Sequence, residues 1–232
     1  MGVNKVVTSL GEAVAGIGDG TTLMVSGFGP PGLPSELIAA VLDSGVGDLT
    51  IINNNAGAGG TAISDLFAAK RVRKVICSFP KAIGSTVFDD LYRAGEIELE
   101  LVPQGTLAER IRAGGAGIKG FFTPTAYGTE LGAGKETRVI DGVPCVLEAP
   151  LHANFALVRA DTGDRYGNLT YRKTGRNFGP LMAAAADVTI AEIGHLVDPD
   201  DMDPETIVTP GIYVDRLLVL DASTDTIEQE TR

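Results

Sequence analysis

Between Thr21 and Val102 the chain repeats one local pattern: a short apolar run, a break built from Gly, Pro or Asn, and then apolar residues at helical spacing. The apolar runs are Thr21 to Ser26, Leu49 to Asn53, Val72 to Ser78 and Ile97 to Val102. Strands that alternate with helices in this way return to the same sheet through helical crossovers, which forces them parallel and covers both faces of the sheet. The pattern therefore predicts an α/β fold, an open, mostly parallel sheet with helices on both faces. Ser9-Leu10-Gly11-Glu12 has capping-box spacing and opens a helix that Gly18-Asp19-Gly20 stops. Ser35 can cap a helix through Leu42, with Leu37, Ile38, Val41 and Leu42 on one stripe. Further helices are expected near Ala62 to Ala69 and Ser85 to Arg93, and a second capping box, Thr106 to Glu109, opens one running to about Arg112.

Beyond Gly114 the rhythm changes. Phe121 to Thr129 reads as a loop of Thr, Pro and Gly, and Asp141-Gly142 between two β-rich runs signals a two-residue hairpin. Phe155 to Ala160, Leu169 to Arg172, Val188 to Ile193 and Tyr213 to Leu220 are further strands. Antiparallel strands are thus expected to follow the parallel set and make the sheet mixed. With neither a linker nor a repeat, residues 1–232 read as a single domain.

Thirty acidic residues against 19 Lys and Arg give a net charge of −11, the wrong sign for tracking nucleic-acid phosphates. An anionic ligand gets no help from such a field, so its site must be locally basic or completed by another chain. Cys77 and Cys145 lie among apolar residues, and no stretch suits a leader or a membrane span, so a soluble protein of the reducing cytoplasm is expected. Asp198, Asp200, Asp201 and Asp203 imitate a calcium loop, but Met202 occupies a ligand position and the required Gly is absent. His152 and His195 have no ligand-spaced companions, so no metal is expected.

Gly27-Phe28-Gly29-Pro30-Pro31-Gly32 matches the spacing of a dinucleotide-binding turn, yet its prolines remove amide donors and delay the helix to Ser35. The turn suits close approach of backbone to some other ligand. Ser78-Phe79-Pro80-Lys81 imitates the serine–lysine element of an acyl-enzyme hydrolase, but Pro80 keeps the two off one helical face. Asn53-Asn54-Asn55 and Gln104-Gly105 are more informative, because both follow strands at the carboxyl edge where open α/β sheets bind ligands. Asn53 suits turn chemistry as well as a site. Asn54, Asn55 and Gln104 suit a site, since neutral amides stabilise a developing oxyanion without trapping an anionic substrate.

Taken together, Gly27-Phe28, Gly32-Leu33-Pro34, Asn54 to Gly57, Pro103 to Arg110, Phe121 to Thr125, Gly167-Asn168 and Arg172-Lys173 to Phe178 resemble the A (alpha) subunit of the family I 3-oxoacid CoA-transferases. The resemblance runs from about Asn4 to Leu220. It implies a ping-pong exchange in which a glutamate of a second, B-type subunit attacks an acyl-CoA and carries CoA as a glutamyl thioester. The Ser-Glu-Asn-Gly segment bearing that glutamate is absent; Ser35-Glu36 belongs to a helix, and Glu148 is only the residue a naive search would choose. The resemblance further implies that Gln104, Asn54 and Asn55 face the reacting carbonyl. Gly27, Phe28, Gly29 and Gly32, with Thr123 and Thr125 of the later loop, would wall the acyl pocket. It implies an α2β2 assembly with the CoA-transferase B subunit and no resident cofactor, CoA thioester being a substrate. Succinyl-CoA is the implied donor and 3-oxoadipate the acceptor, ahead of acetoacetate or short-chain fatty acids. Lys81 is the candidate for pairing the acceptor's second carboxylate, with Arg172 and Arg176 as alternatives. Ser26, Ala126 and Gly175 depart from the family's usual Gly, Gly and Ala. From other classes, a sugar-phosphate isomerase or ligand-sensing domain shares this kind of fold, and a nicotinamide dehydrogenase is a third reading.

Overall fold

The computed structural model describes residues 3–57, 60–81 and 84–220. In chain order it contains β1 (Val6–Val7), α1 (Leu10–Ala13), β2 (Thr22–Val25), α2 (Ser35–Asp43), β3 (Leu49–Ile52) and α3 (Ala62–Ala68). Next come β4 (Val72–Cys77), α4 (Val87–Arg93), β5 (Glu98–Leu101), α5 (Gln104–Gly115) and β6 (Phe121–Thr123). The remainder comprises β7 (Thr137–Ile140), β8 (Val143–Glu148), β9 (Ala153–Asp164), β10 (Leu169–Thr170), α6 (Gly179–Ala184), β11 (Ala186–Val197) and β12 (Arg216–Val219). The main sheet has the order β1-β12-β11-β9-β2-β3-β4-β5, parallel throughout, with β10 pairing antiparallel to β9.

Alternation along the central strands divides the core into two layers. Leu23 and Val25 of β2, Leu49 and Ile51 of β3 and Leu157 of β9 pack with residues of α1 to α4, including Leu37, Ile38, Leu66, Phe67 and Phe88. Met24, Ile52, Ala156 and Val158 face the other way, against Leu107 and Ile111 of α5 and Met182 of α6. Helices therefore cover both faces, as the strand–helix rhythm requires.

The later half keeps the main sheet mostly parallel and mixed, as expected. β9, β11 and β12 extend its parallel part, β10 adds an antiparallel strand, and β6, β7 and β8 form a separate small antiparallel sheet of order β6-β8-β7. The Asp141-Gly142 hairpin forms with Ile140 opposite Val143, and both turn residues have positive φ, 50° and 78°. Part of the expected loop is strand: β6 pairs Phe122 with Leu147, giving the apolar hairpin a second neighbour.

Helix starts also differ from the capping signals. Ser9 does cap α1, accepting from Glu12 N, but the Glu12 carboxylate accepts from Thr8 N at 2.8 Å and Thr8 Oγ1 at 3.0 Å. Ser35 is the first residue of α2 and caps nothing. Helix α5 begins at Gln104, two residues before the expected cap, because Pro103 with φ −53° and ψ 137° already directs the chain into the helix. Thr106 is consequently buried in the first turn, and Glu109 pairs with Arg112 at 2.9 Å.

Ala126 has φ 70°, a conformation that favours glycine. Ala126→Gly is expected to raise stability by up to about 1 kcal/mol, read from the denaturant midpoint at unchanged slope. The acidic segment forms short turns in which Asp198 and Asp203 accept from Asp200 N and Glu205 N. Among the described residues no cluster of His, Cys, Asp or Glu could hold a metal, and no helix is long and apolar enough to cross a membrane.

Candidate active site

The carboxyl edge of β2 to β5 gathers the amides. At the exit of β2, buried Ser26 donates its hydroxyl hydrogen to Gly32 O at 2.7 Å and accepts from Arg159 N at 3.1 Å. The hydroxyl thus closes the Gly27–Pro34 turn and ties it to β9, a task glycine at this position could not perform. The other side of the turn is held by Asn177: its Oδ1 accepts from Gly27 N at 3.0 Å, and its Nδ2 donates to Pro31 O and Thr174 O, both at 2.9 Å. Gly32 lies so close to the chain at 175–177 that a Cβ there would meet Gly175 O at 2.5 Å and Asn177 Nδ2 at 2.7 Å. Its approach serves the chain's own packing rather than a ligand. Gly29 faces open space and Phe28 is 50% exposed, so these two residues of the turn remain presentable.

At the exit of β3 the three asparagines divide their work. Asn53 is buried, donates Nδ2 to Val25 O at 2.6 Å and accepts from Asn55 N at 2.8 Å, joining β2 to β3. Asn55 accepts from Gly57 N at 2.9 Å through its own side-chain oxygen. Both use their oxygens in turn chemistry, so the expectation that Asn55 acts alongside Asn54 meets a side chain already half engaged. Asn54, by contrast, is 3% exposed and has its Oδ1 held by two donors, Ser78 Oγ at 2.7 Å and Gln104 Nε2 at 2.8 Å. Two donors on one amide oxygen fix the plane of the group and leave both Nδ2 hydrogens without an acceptor among the described residues. Gln104 keeps one Nε2 hydrogen free and stands on the first residue of α5, where the helix dipole adds positive potential.

These pieces converge. A cleft of about 320 Å³ is lined by Phe28, Gln104, Gly105, Ala108, Asn177, Phe178 and Leu181. The Gly27–Pro34 turn and Gln104, 70 residues further along the sequence, therefore line one cleft, and no carboxylate belongs to the lining; Asn54 is not part of it and reaches it only through its bond to Gln104. Thr123 lies in β6 opposite Val146, and Thr125 N donates to Thr123 Oγ1 at 3.2 Å. Neither lines this cleft. Lys81 is exposed in the loop after β4. Glu148 is 1% exposed and clasped by Lys135 Nζ at 2.5 Å, with Arg110 Nε at 3.9 Å. Buried and engaged by these two cations, the Glu148 carboxylate is not presented to the cleft as a nucleophile.

Ser78 and Asn177 position the site, and Glu192 anchors the helix that follows the Gly27–Pro34 turn. Ser78 had a signal, a hydroxyl residue ending an apolar run beside the asparagines. Asn177 falls in the 172–178 segment that carries the resemblance, but its clamping role is not legible there, because its partners are 146 and 150 residues away. Glu192 interrupts the apolar run of β11, and its carboxylate accepts from Leu37 N at 3.0 Å, supplying the N-terminal acceptor of α2 that Ser35 does not. Burial pushes the Glu192 carboxyl up to about 7, against the opposing bond from Leu37 and the Arg159 guanidinium at 3.7 Å. Since the folded state holds this proton more tightly than the unfolded chain does, its contribution is full below pH 4.5 and is lost as pH rises to about 7. Glu192→Gln is expected to flatten the stability profile across that window, by on the order of 3 kcal/mol, in melts at pH 5 and pH 8. A variant that loses as much stability over the window as the parent would contradict this.

A parallel sheet whose carboxyl edge presents oriented neutral amides to an apolar cleft has the equipment of an acyl-transfer enzyme. Residues 7–220 match the family model for coenzyme A transferase. The A subunit of 3-oxoadipate CoA-transferase from Pseudomonas putida is 58% identical over 218 residues, covering 94% of each chain. The A subunit of a probable succinyl-CoA:3-ketoacid coenzyme A transferase from Mycobacterium bovis is 45% identical over 248 residues and 99% of each chain. Glutaconate coenzyme A-transferase of Acidaminococcus fermentans shares the fold with a TM-score of 0.80 at 19% identity, over 95% of this chain and 77% of that one. The chain belongs to the coenzyme A transferase family and is a CoA-transferase component. Its named relatives are A subunits of 3-oxoadipate and succinyl-CoA:3-ketoacid CoA-transferases.

Proposed function

We propose that this chain is the A subunit of a cytoplasmic α2β2 enzyme that moves CoA from succinyl-CoA to a 3-oxo acid. The acceptor is 3-oxoadipate, ahead of acetoacetate and short-chain fatty acids. The observation that carries the reading is the cleft itself, which offers oriented amide donors but no carboxylate among the residues that line it. In the exchange, a glutamate carboxylate of the partner attacks the thioester carbonyl and expels CoA thiolate, forming a mixed anhydride. The thiolate then attacks the glutamyl carbonyl and succinate leaves; the acceptor acid repeats the two steps in reverse. Each tetrahedral intermediate places negative charge on the former carbonyl oxygen. The free Nε2 hydrogen of Gln104 and Nδ2 of Asn54 are suited to receive it, and Phe28 and Phe178 to exclude water. CoA is a substrate in this scheme, so no resident cofactor is required.

The acceptor's second carboxylate needs a cation if it is to be desolvated. Lys81 is assigned that role, and Lys81→Ala is expected to raise KM for 3-oxoadipate by about tenfold while leaving KM for acetoacetate unchanged, a selective loss of about 1.4 kcal/mol. Equal effects on the two acceptors would remove the assignment. The reading as a whole is tested by producing the chain alone and with its B-type partner, then assaying CoA transfer from succinyl-CoA to several 3-oxo acids. Activity confined to the complex, with the glutamyl adduct trapped on the partner, is expected; an adduct on an acidic side chain of this protein would overturn it.

A further inference from the structure

Many basic residues of this acidic chain, Lys70, Arg73, Lys74, Arg112 and Arg138 among them, sit against carboxylates, and Lys5, Arg71 and Arg216 donate to backbone carbonyls. The segment 172–176 is different. Arg172, Lys173 and Arg176 are all exposed, and among the described residues none of their side chains forms a hydrogen bond or ion pair. Between Asp164 and Asp187 the sequence has no acidic residue, although the chain contains 30 of them. Lys173 is moreover held at φ 49°, a conformation unfavourable for a residue with a Cβ. Like charges gathered without counter-ions repel one another, so this arrangement does not stabilise the isolated chain. The short turn Lys173–Arg176 runs directly into Asn177 and Phe178, which line the cleft, and Asn177 fastens it to the Phe28 turn. The three exposed cations are therefore one to five residues from Asn177 in the chain and are not among the residues that line the cleft.

We propose that Arg172, Lys173 and Arg176 form a phosphate-recognition site for the nucleotide end of the CoA thioester. This inference rests on the transferase reading above. A thioester bound at Gln104 leaves the far, multiply phosphorylated end of its carrier to emerge past the rim of a cleft of about 320 Å³. Guanidinium forks and an ammonium group in the segment that leads into the cleft lining match phosphate oxygens in charge and geometry. Several cations meeting a polyanion also answer the unfavourable field of a chain with net charge −11. A single carboxylate of the acceptor acid, by contrast, has to travel into the cleft with its reacting end and requires only one counter-charge.

The test uses the reconstituted complex and two thioesters, succinyl-CoA and succinyl-pantetheine, which carries the same acyl group without phosphates. Arg172→Ala combined with Arg176→Ala is expected to raise KM for succinyl-CoA by about 10- to 100-fold with kcat nearly unchanged, and to weaken its salt dependence. Kinetics with succinyl-pantetheine should not change, nor should the melting temperature, because neither side chain has a hydrogen-bond or ion-pair partner among the described residues. Equal losses on both thioesters, no loss on either, or a KM increase confined to the dicarboxylate acceptor would each overturn the proposal. A wild-type complex that transfers no CoA would instead overturn the transferase reading, and direct titration of the complex with adenosine 3′,5′-bisphosphate keeps the two failures apart. Wild-type binding that the double variant loses supports the phosphate site, and binding that survives in the variant opposes it.

Discussion

Gln104→Ala is expected to lower kcat of the assembled enzyme by about 10²- to 10³-fold, roughly 2.7 to 4 kcal/mol, with a much smaller change in KM. Two consequences of the geometry combine in that loss. The free Nε2 hydrogen disappears from the cleft, and Asn54 Oδ1 loses one of the two donors that fix its amide plane. Because the second effect acts through Asn54, the variants should not be additive: Gln104→Ala with Asn54→Ala should lose clearly less than the sum of the single losses. Ser78→Ala, which removes the other donor, should cost less than Gln104→Ala, since Ser78 acts only through Asn54 whereas Gln104 itself lines the cleft. Unchanged kcat in Gln104→Ala would take this side chain out of the chemistry.

Gly32→Ala should be the more damaging change to the fold. The residue has φ 75°, which alone makes alanine unfavourable by about 1 kcal/mol, and its new Cβ would fall 2.5 Å from Gly175 O. Relieving that overlap requires the 173–177 turn to move, at a cost of about 1 to 3 kcal/mol. Together the effects predict a melting temperature lower by about 5 to 15 °C for a chain of this length. Gly175→Ala supplies the control from across the same contact: its Cβ would come no closer than 3.8 Å to Gly32 N, so a change of less than about 0.5 kcal/mol is expected. Comparable destabilisation by both substitutions would show that the contact is misjudged. Displacing the turn also moves Asn177, so residual folded Gly32→Ala protein should retain little activity.

The parallel half of the fold is readable from the chain because its signals are local. Each strand from β2 to β5 is followed within about ten residues by its own break and helical stripe, and the burial of Leu37, Ile38 and Val41 follows directly from their spacing. The later half is not local. The parallel placement of β9 depends on pairing Leu23 with Phe155, 132 residues further on, and no short-range pattern distinguishes that from an antiparallel neighbour. The capping-box signal at Thr106 misplaces the start of α5 for a different reason, since Pro103 fixes the backbone before the hydroxyl can act. Within the site, Asn54 and Gln104 are legible as amides at strand exits. Their orientation is not, because it is set by Ser78, and the clamp of Asn177 on the Phe28 turn joins segments that share no sequence pattern.

The interior position of β2, hydrogen-bonded to β3 on one side and to β9 on the other, has a consequence for how this protein is made. Until residue 157 has left the ribosome, β2 has an open ladder edge, and the Gly27–Pro34 turn lacks the tether from Arg159. The nascent amino-terminal half therefore carries a hydrogen-bonding template for another strand throughout synthesis of the segment between them. Fragments ending before β9 should consequently form insoluble aggregates, whereas slowing translation after β9 should leave the yield of soluble chain unaffected.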